Sequence, residues 1–345
     1  ADAVYWNRCY EPKAMARDRG SRLRPHTLTV PKPLIPIAGK PIVQRLVEDI
    51  VAVAGDKQVD EIAFIIGDFG EQVEKDLVAV AEKLGAKGSI YYQDKPLGTA
   101  HAIYCAADSM DDEIVVAFAD TLFKADFTLD TEADSVIWVK QVDNPSAYGV
   151  VQFDDNGHIN NFVEKPQTFV SDLAIIGIYY FKDGPGLRKE LKYILDNDIR
   201  EHGEYQLTEA LSSLLKQGKV FKPGTVNDWM DCGNKNITLE TNTKMLGYLE
   251  GSAELKGQNI VLEGNSEIVE PCFIGDNVVL KDAKVGPFVS LGAGCVVENA
   301  QIEHSLVQNE TVIKNIKLTN SMIGNHAKVD GSWTSLSLGD YSTMD

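Results

Sequence analysis

EIAFIIGDFGEQVEKDLVAVAEKLGA, residues 61–86, holds the pattern that decides the fold. Its opening EIAFIIG is a near-continuous apolar run and reads as a buried strand. The remainder places Val73, Leu77, Val80, Ala81 and Leu84 at helical spacing, so one strand feeds one amphipathic helix. The theme recurs in SIYYQ (89–93), LGTAHAIYCAA (97–107) and EIVVAFAD (113–120), with Gly98 just before a helix and Asp120 just after a strand. Apolar strands joined by helices predict a Rossmann-like, mostly parallel α/β sheet. Such sheets bind ligands beyond the carboxyl ends of their strands, where Gly98 and Asp120 fall. Strand candidates with an antiparallel look follow between 135 and 182, two of them joined by the turn Asp155-Asn156-Gly157. Helical patterns at 186–198, 207–217 and 235–249, with a strand near 219–226, complete a first domain expected over 1–250.

The texture then changes. Ile268, Ile274, Leu280, Val285, Leu291, Val297, Ile302, Val307, Ile313, Leu318, Ile323 and Val329 recur at steps of five or six. That period is too long for a helix or a single strand. It predicts a second domain over 251–345, a short left-handed parallel β-helix of hexapeptide repeats with about four coils of some 18 residues. A small antiparallel sandwich is the alternative.

Composition excludes several classes. Hydrophobic residues make up 44% of the 345, enough for packed cores. A net charge of −18 and a pI near 4.8 argue against nucleic-acid binding. The lack of a long apolar run or of a leader pattern predicts neither membrane association nor secretion, hence a cytoplasmic protein. Cys9, Cys105, Cys232, Cys272 and Cys295 show no CxxC pair and are expected to be free, mostly buried thiols.

Against that acidic background, six basic residues and one acid lie from Arg17 to Lys40, five of the basic ones within RGSRLRPHTLTVPKPLIPIAGKP (19–41). Small residues admit backbone amides to phosphate oxygens, arginine offers a planar fork, and a lysine held between prolines supplies a fixed point charge. The stretch is neither a Walker loop nor a dinucleotide fingerprint. It resembles the signature of the sugar-nucleotidyltransferases, the nucleoside-diphosphate-sugar pyrophosphorylases, of the glucose-1-phosphate thymidylyltransferase type. The resemblance continues through QDKPLGTAHA (93–102), FAD (118–120), AYGVV (147–151), FVEKP (162–166), AIIGIYYF (174–181), EYQLTEAL (204–211) and DWMDCGN (228–234).

The resemblance implies a Mg2+-dependent transfer of a nucleotidyl group from dTTP or UTP to a sugar 1-phosphate, glucose 1-phosphate by preference, with release of pyrophosphate. By it, Arg22 and Lys32 grip the triphosphate, and Gly20, Ser21, Gln93, Gly98 and Thr99 bind the nucleotide. Asp120 and Asp231 hold the metal, and Gly149, Glu164, Lys165 and Gly177 line the sugar-phosphate pocket, with Lys165 on the phosphate. Two polyanions must meet, so positioning and charge neutralisation carry most of the catalysis. A homo-oligomer assembled through the β-helix is also expected, because open sheet edges invite pairing. Two departures stand out: residues 1–12 lack the apolar strand that the resemblance leads one to expect, and Asp18 stands where it places a loop glycine. A bifunctional amino-sugar-1-phosphate uridylyltransferase/acetyltransferase and a catalytically silent nucleotide- or sugar-sensing scaffold are the alternative readings.

Overall fold

The computed structural model describes residues 2–6, 23–28, 30–55, 57–125, 129–130, 132–331 and 335–344, with backbone alone at 2–6 and 344. The chain divides into two compact units. One comprises Leu46–Trp229 with the strand Asp2–Trp6, and the other comprises residues 23–45 with everything from Met230 onward.

Among the described residues, the first unit is built on a nine-stranded sheet. Its strands are β1 (Asp2–Trp6), β2 (Glu61–Ile66), β3 (Lys87–Tyr92), β4 (Ile114–Phe118), β5 (Ser135–Gln141), β6 (Gly149–Phe153), β7 (Ile159–Glu164), β8 (Leu173–Phe181) and β9 (Phe221–Thr225). They run in the order β3-β2-β1-β4-β8-β5-β9-β7-β6. The first four are parallel, as the repeated strand-helix pattern predicts. β8 then enters antiparallel to both β4 and β5, so the other half of the sheet is mixed.

β1 corrects the expectation that residues 1–12 contribute no strand. DAVYW pairs in parallel with β2 on one side and β4 on the other, Val4 standing opposite Ala63 and Val116. Five residues that open with an aspartate make a weak local signal, and two partner strands supply what local preference does not. The carboxyl end of β1 leads into the expected phosphate loop, including Gly20, Ser21 and Arg22, which lies outside the described residues. Helices Glu71–Lys83, Thr99–Cys105, Gly184–Asp196 and Leu207–Lys216 fall close to the predicted ranges. The core they share with the sheet includes Ile65, Val116, Ile137, Phe181 and Leu191, each almost wholly excluded from solvent and worth about 1.5–3 kcal/mol of transfer free energy.

The second unit contains a three-sided parallel β-solenoid of about four turns. Its faces stack in register as Leu262-Leu280-Val297-Ile313-Val329, Ile268-Val285-Ile302-Leu318 and Ile274-Leu291-Val307-Ile323-Leu338. Of the twelve aliphatics singled out by period, eleven are buried and Ile268 is partly so. A coil takes seventeen residues from Leu280 to Val297 and sixteen from Val297 to Ile313, shorter than the expected 18. Corner residues such as Asn277, Asn299 and Asn315 adopt left-handed backbone, which asparagine tolerates better than most side chains. Cys232, Cys272 and Cys295 are buried free thiols and Cys105 is a half-buried one; burial pushes Cys295 up to about 12.

Polar contacts brace residues 23–45 internally and link them, through Asn242 and His26, to the solenoid. Asn242 Oδ1 accepts from the Ala38 amide at 2.9 Å and from Ser290 Oγ at 2.7 Å, while the buried Arg45 guanidinium donates to the Ile37 and Ala38 carbonyls, each at 2.6 Å. His26, 1% exposed, sits 3.1 Å from Ser337 Oγ through Nε2. Burial lowers its pKa to about 4, helped by Lys235 and opposed by Asp340. Between that value and the ordinary 6.5 the unfolded chain binds the extra proton and the native one does not, so stability rises with pH. The contribution is complete above pH 6.5 and lost as pH falls toward 4, amounting to about 3 kcal/mol. Thermal midpoints measured from pH 7 to pH 4 are expected to fall less steeply for His26→Gln than for the unaltered chain; parallel curves would remove His26 as the cause.

Candidate active site

β4 ends at Phe118, and two residues later the half-buried Asp120 stands beyond the carboxyl end of the parallel strands. Thr121, 3% exposed, follows at once, and its Oγ1 accepts a hydrogen bond from Trp229 Nε1. Trp229 meets Tyr148 edge to face, with centroids 5.2 Å apart, and the Tyr148 carbonyl accepts the Lys165 amide at 3.0 Å. A chain of contacts thus runs from the neighbour of Asp120 to Lys165.

Lys165 leaves β7 with a left-handed φ of +42°, so its side chain departs from the strand's alternation. Its Nζ stands 3.8 Å from Glu164 Oε1. Glu164 pairs across strands with Gly149, where a Cβ would come within 3.1 Å of Glu164 Oε2 and 3.4 Å of Thr208 Cγ2. Glycine there leaves the carboxylate its room. Thr208 Oγ1 donates to Glu164 Oε2 at 3.4 Å. Gly177 (φ +84°) lies where the pairing of β8 with β5 slips register, and a Cβ would meet the Phe118 ring at 3.0 Å. The bulge therefore brings β8 close to the end of β4. Burial and the charge of Glu164 raise the pKa of Tyr179, keeping that phenol neutral. Burial and a hydrogen bond to Glu209 likewise hold Glu201 above the usual carboxylate value, with Glu164 adding to the effect.

Gln93 and Gly98 form a second group. Gln93, 4% exposed, donates from Nε2 to the Gly98 carbonyl at 3.2 Å and lies 3.0 Å from His101 Nδ1. Burial depresses the His101 pKa, so the neutral ring can accept that bond. Gly98 caps the helix Thr99–Cys105 with φ +120°, its α-carbon against the Tyr205 backbone. The Thr99 hydroxyl accepts from the Leu207 amide at 2.8 Å and donates to Gln206 Oε1 at 3.3 Å, anchoring the next helix.

Gln93, Gly98, Thr99, Asp120, Gly149, Glu164, Lys165 and Gly177 belong to the first unit, and Lys32 and Asp231 to the second. Lys32, 7% exposed, opens the 3-10 turn Lys32–Leu34 between Pro31 and Pro33. The Asp231 carbonyl accepts from Thr241 Oγ1 at 2.6 Å, and a Cβ on Gly233 would approach its Oδ2 to 2.9 Å. Sequence reasoning gave no role to Tyr148, Thr208 or Trp229, although each lay within a quoted motif. Arg45 and Asn242 carried no signal at all.

Among the described residues no group of three or more His, Cys, Asp and Glu side chains is placed to hold a metal ion. Carboxylates such as Asp120 and Asp231 are hard oxygen donors and fit Mg2+, which takes one or two of them and fills its remaining positions with phosphate and water. Nor is an activated nucleophile present at Cys105, whose thiol burial pushes up to about 11.

A parallel half-sheet with strand order 3-2-1-4, carrying a carboxylate past its last parallel strand and an adjoining carboxylate-lysine pair, defines an α/β protein with a candidate ligand site beyond its strand ends. The family model described as "Nucleotidyl transferase" matches residues 15–247. The chain belongs to this family, and it is a nucleotidyltransferase. It is 30% identical to a glucose-1-phosphate thymidylyltransferase of Streptomyces antibioticus, the match covering 96% of this chain and 98% of that one. A "Low-salt glycan biosynthesis nucleotidyltransferase Agl11" of Haloferax volcanii is 30% identical over 90% and 91%. The bifunctional protein GlmU of Methanocaldococcus jannaschii is 34% identical, over 71% of this chain and 59% of that one. A crystal structure of a Bacillus anthracis protein described as a putative glucose-1-phosphate thymidylyltransferase superposes with TM-score 0.55 at 22% identity, over 71% of this chain and 95% of that one, and supports the fold. No helix among the described residues is long and apolar enough to cross a membrane.

Proposed function

We propose that this nucleotidyltransferase joins dTTP or UTP to a sugar 1-phosphate, glucose 1-phosphate by preference, and releases pyrophosphate. The observation that supports this reading is the Gly149-Glu164-Lys165 arrangement, a carboxylate beside a lysine with glycine opposite, which would suit a sugar's hydroxyls and its phosphate. Near end-to-end similarity to the Streptomyces thymidylyltransferase supports the choice of glucose 1-phosphate.

In the reaction a phosphate oxygen of the sugar attacks the α-phosphorus in line, and the bond to the pyrophosphate oxygen breaks. Lys165 orients and neutralises the attacking phosphate, and Glu164, held by Thr208, accepts hydrogen bonds from ring hydroxyls. Lys32 and Arg22 draw the β- and γ-phosphates away from the attacked centre, with Gly20 and Ser21 offering backbone amides. Gln93, Gly98 and Thr99 shape the cleft for the base. Asp120 and Asp231 would hold Mg2+, which supplies charge neutralisation and alignment of the phosphates.

Pyrophosphate release with glucose 1-phosphate and each of dTTP, UTP, ATP, CTP and GTP tests the reading. Release with dTTP or UTP supports it. Silence with every nucleotide and every sugar phosphate supplied would overturn it in favour of a sensing scaffold, and Asp18 in the phosphate loop would be the reason to examine first. Acetylation of glucosamine 1-phosphate from acetyl-CoA would show the bifunctional alternative. We also assign oligomerisation to the solenoid, whose first strand, Val261–Glu263, exposes Val261 and Leu262 to solvent. Removing residues 251–345 is expected to reduce the solution mass by more than the deleted segment; an unchanged oligomeric state would sink this assignment.

A further inference from the structure

Each solenoid coil turns one of its corners just after the Ile274-Leu291-Val307-Ile323-Leu338 row. At four of the row's five levels the corner begins with glycine, at Gly275, Gly292, Gly324 and Gly339, and at the third it begins with Gln308. The glycines have a packing reason: a Cβ at Gly275, Gly292 or Gly324 would lie within 2.7 Å of the next coil's backbone. Gln308 instead fits a full amide side chain there, 3% exposed. Its Oε1 accepts from Asn325 Nδ2 at 2.8 Å, but its buried Nε2 has no hydrogen-bond partner. A donor left unmade in this way costs about 1–3 kcal/mol.

Gln308 lines a cavity of about 510 Å3 that lies wholly within the second unit, between residues 34–41 and the solenoid. That volume is in the range of small-molecule sites. Ser290, 4% exposed, contributes a hydroxyl that donates to Asn242 Oδ1 and keeps its own lone pairs for a further donor. Phe273 adds an apolar ring, packed so closely on Gly39 that a Cβ there would come within 2.2 Å of it. The cavity's longer charged side chains are already matched: Glu254 by Lys40 at 2.7 Å and Arg45 at 3.8 Å, Lys256 by Glu270 at 3.3 Å. The Asp276 carboxylate also lines the cavity, its Oδ1 accepting from the Gln258 amide at 2.7 Å. An amide donor, hydroxyl and carboxylate acceptors and a ring, with the lining lysine matched, suit an uncharged polyhydroxylated guest better than a phosphate.

We propose that this cavity is a second carbohydrate site, separate from the sugar-phosphate pocket of the first unit, and that it takes a neutral pyranose. Its walls include Leu34 and Pro36, in and just after the turn that opens with Lys32, so occupancy is felt by the segment proposed to grip the triphosphate.

Hydrogen exchange of the full chain, with methyl α-D-glucopyranoside, methyl α-D-mannopyranoside or maltose, reads the site directly. At ten times the dissociation constant, about tenfold slowing is expected in peptides covering 34–41, 290–293 and 306–309. Gln308→Leu is expected to lose that protection without lowering the thermal midpoint of the sugar-free protein, since it removes an unmet donor. Ala293→Phe, on the cavity wall, is expected to lose it by filling space. Absence of protection with all three sugars, protection confined to 147–166 in the first unit, or protection undiminished in both variants would each overturn the proposal. Loss of oligomeric mass in Ala293→Phe, with no sugar effect in the unaltered chain, would overturn it in favour of a second copy as the occupant.

Discussion

Asp120→Asn is expected to lower pyrophosphate release by about 10³-fold or more, some 4 kcal/mol of transition-state stabilisation, while the thermal midpoint stays within a degree or two. The substitution keeps shape and removes one charge. Asp120 is half-buried at the carboxyl end of the parallel half-sheet, and its neighbour Thr121 is fixed by Trp229, so the backbone that presents it has a support independent of the carboxylate. A uniform loss of binding would raise KM for the nucleotide and spare kcat, whereas a group needed at the transition state lowers kcat. Undiminished turnover in Asp120→Asn would show that the metal is held elsewhere. Asp231→Asn provides the companion measurement from the second unit.

The largest effect on stability is expected at Gly98. Its φ of +120° with extended ψ is a conformation that only glycine adopts readily, and an alanine Cβ would lie 2.4 Å from the Tyr205 carbonyl oxygen and 2.7 Å from its nitrogen. Neither atom can swing away, because that backbone is bound on both sides: Tyr205 N donates to the Leu97 carbonyl at 2.8 Å, and the Tyr205 carbonyl accepts from Ala100 N at 2.9 Å. Strain and clash together are expected to cost about 3 kcal/mol or more, which lowers the thermal midpoint of a unit this size by roughly 10 °C. Gly85→Ala separates the two causes, since Gly85 also has positive φ (+79°) but nothing within 4 Å of its would-be Cβ. It should cost only about 1 kcal/mol. Equal losses at the two positions would mean that conformation alone, and not the close approach of Tyr205, explains the glycine.

How far these features were legible beforehand follows from what a sequence records. Val285, Ile302 and Leu318 disclose their stacked row because burial repeats along the chain at a step that neither helix nor strand can produce. The helix Glu71–Lys83 discloses itself by the same kind of periodicity at a shorter step. DAVYW does not, because its strand state depends on β2 and β4, which lie about 60 and 110 residues further on. At the candidate site, residue types that suit the chemistry stand in recognisable motifs, and Glu164, Lys165 and Gly149 do assemble. The supports were hidden for a geometric reason. Trp229 reaches Thr121 across 108 positions, and Asn242 reaches Ala38 across 204; neither separation leaves a local trace. Thr99 is a different case. Its place in a motif suggested contact with nucleotide, and in the fold its hydroxyl anchors Leu207 and Gln206.

The stacked rows of the second unit also constrain how this chain can change in length. Coils of seventeen and sixteen residues keep the same rows, so a corner can absorb a single-residue change, whereas removing a residue from within a strand turns that strand's buried aliphatic toward water. A deletion of residues 297–312 would instead carry Ile313 onto the place of Val297 and leave all three faces in step. Small changes in length of this half of the molecule are therefore confined to the corners, and large ones proceed by whole coils.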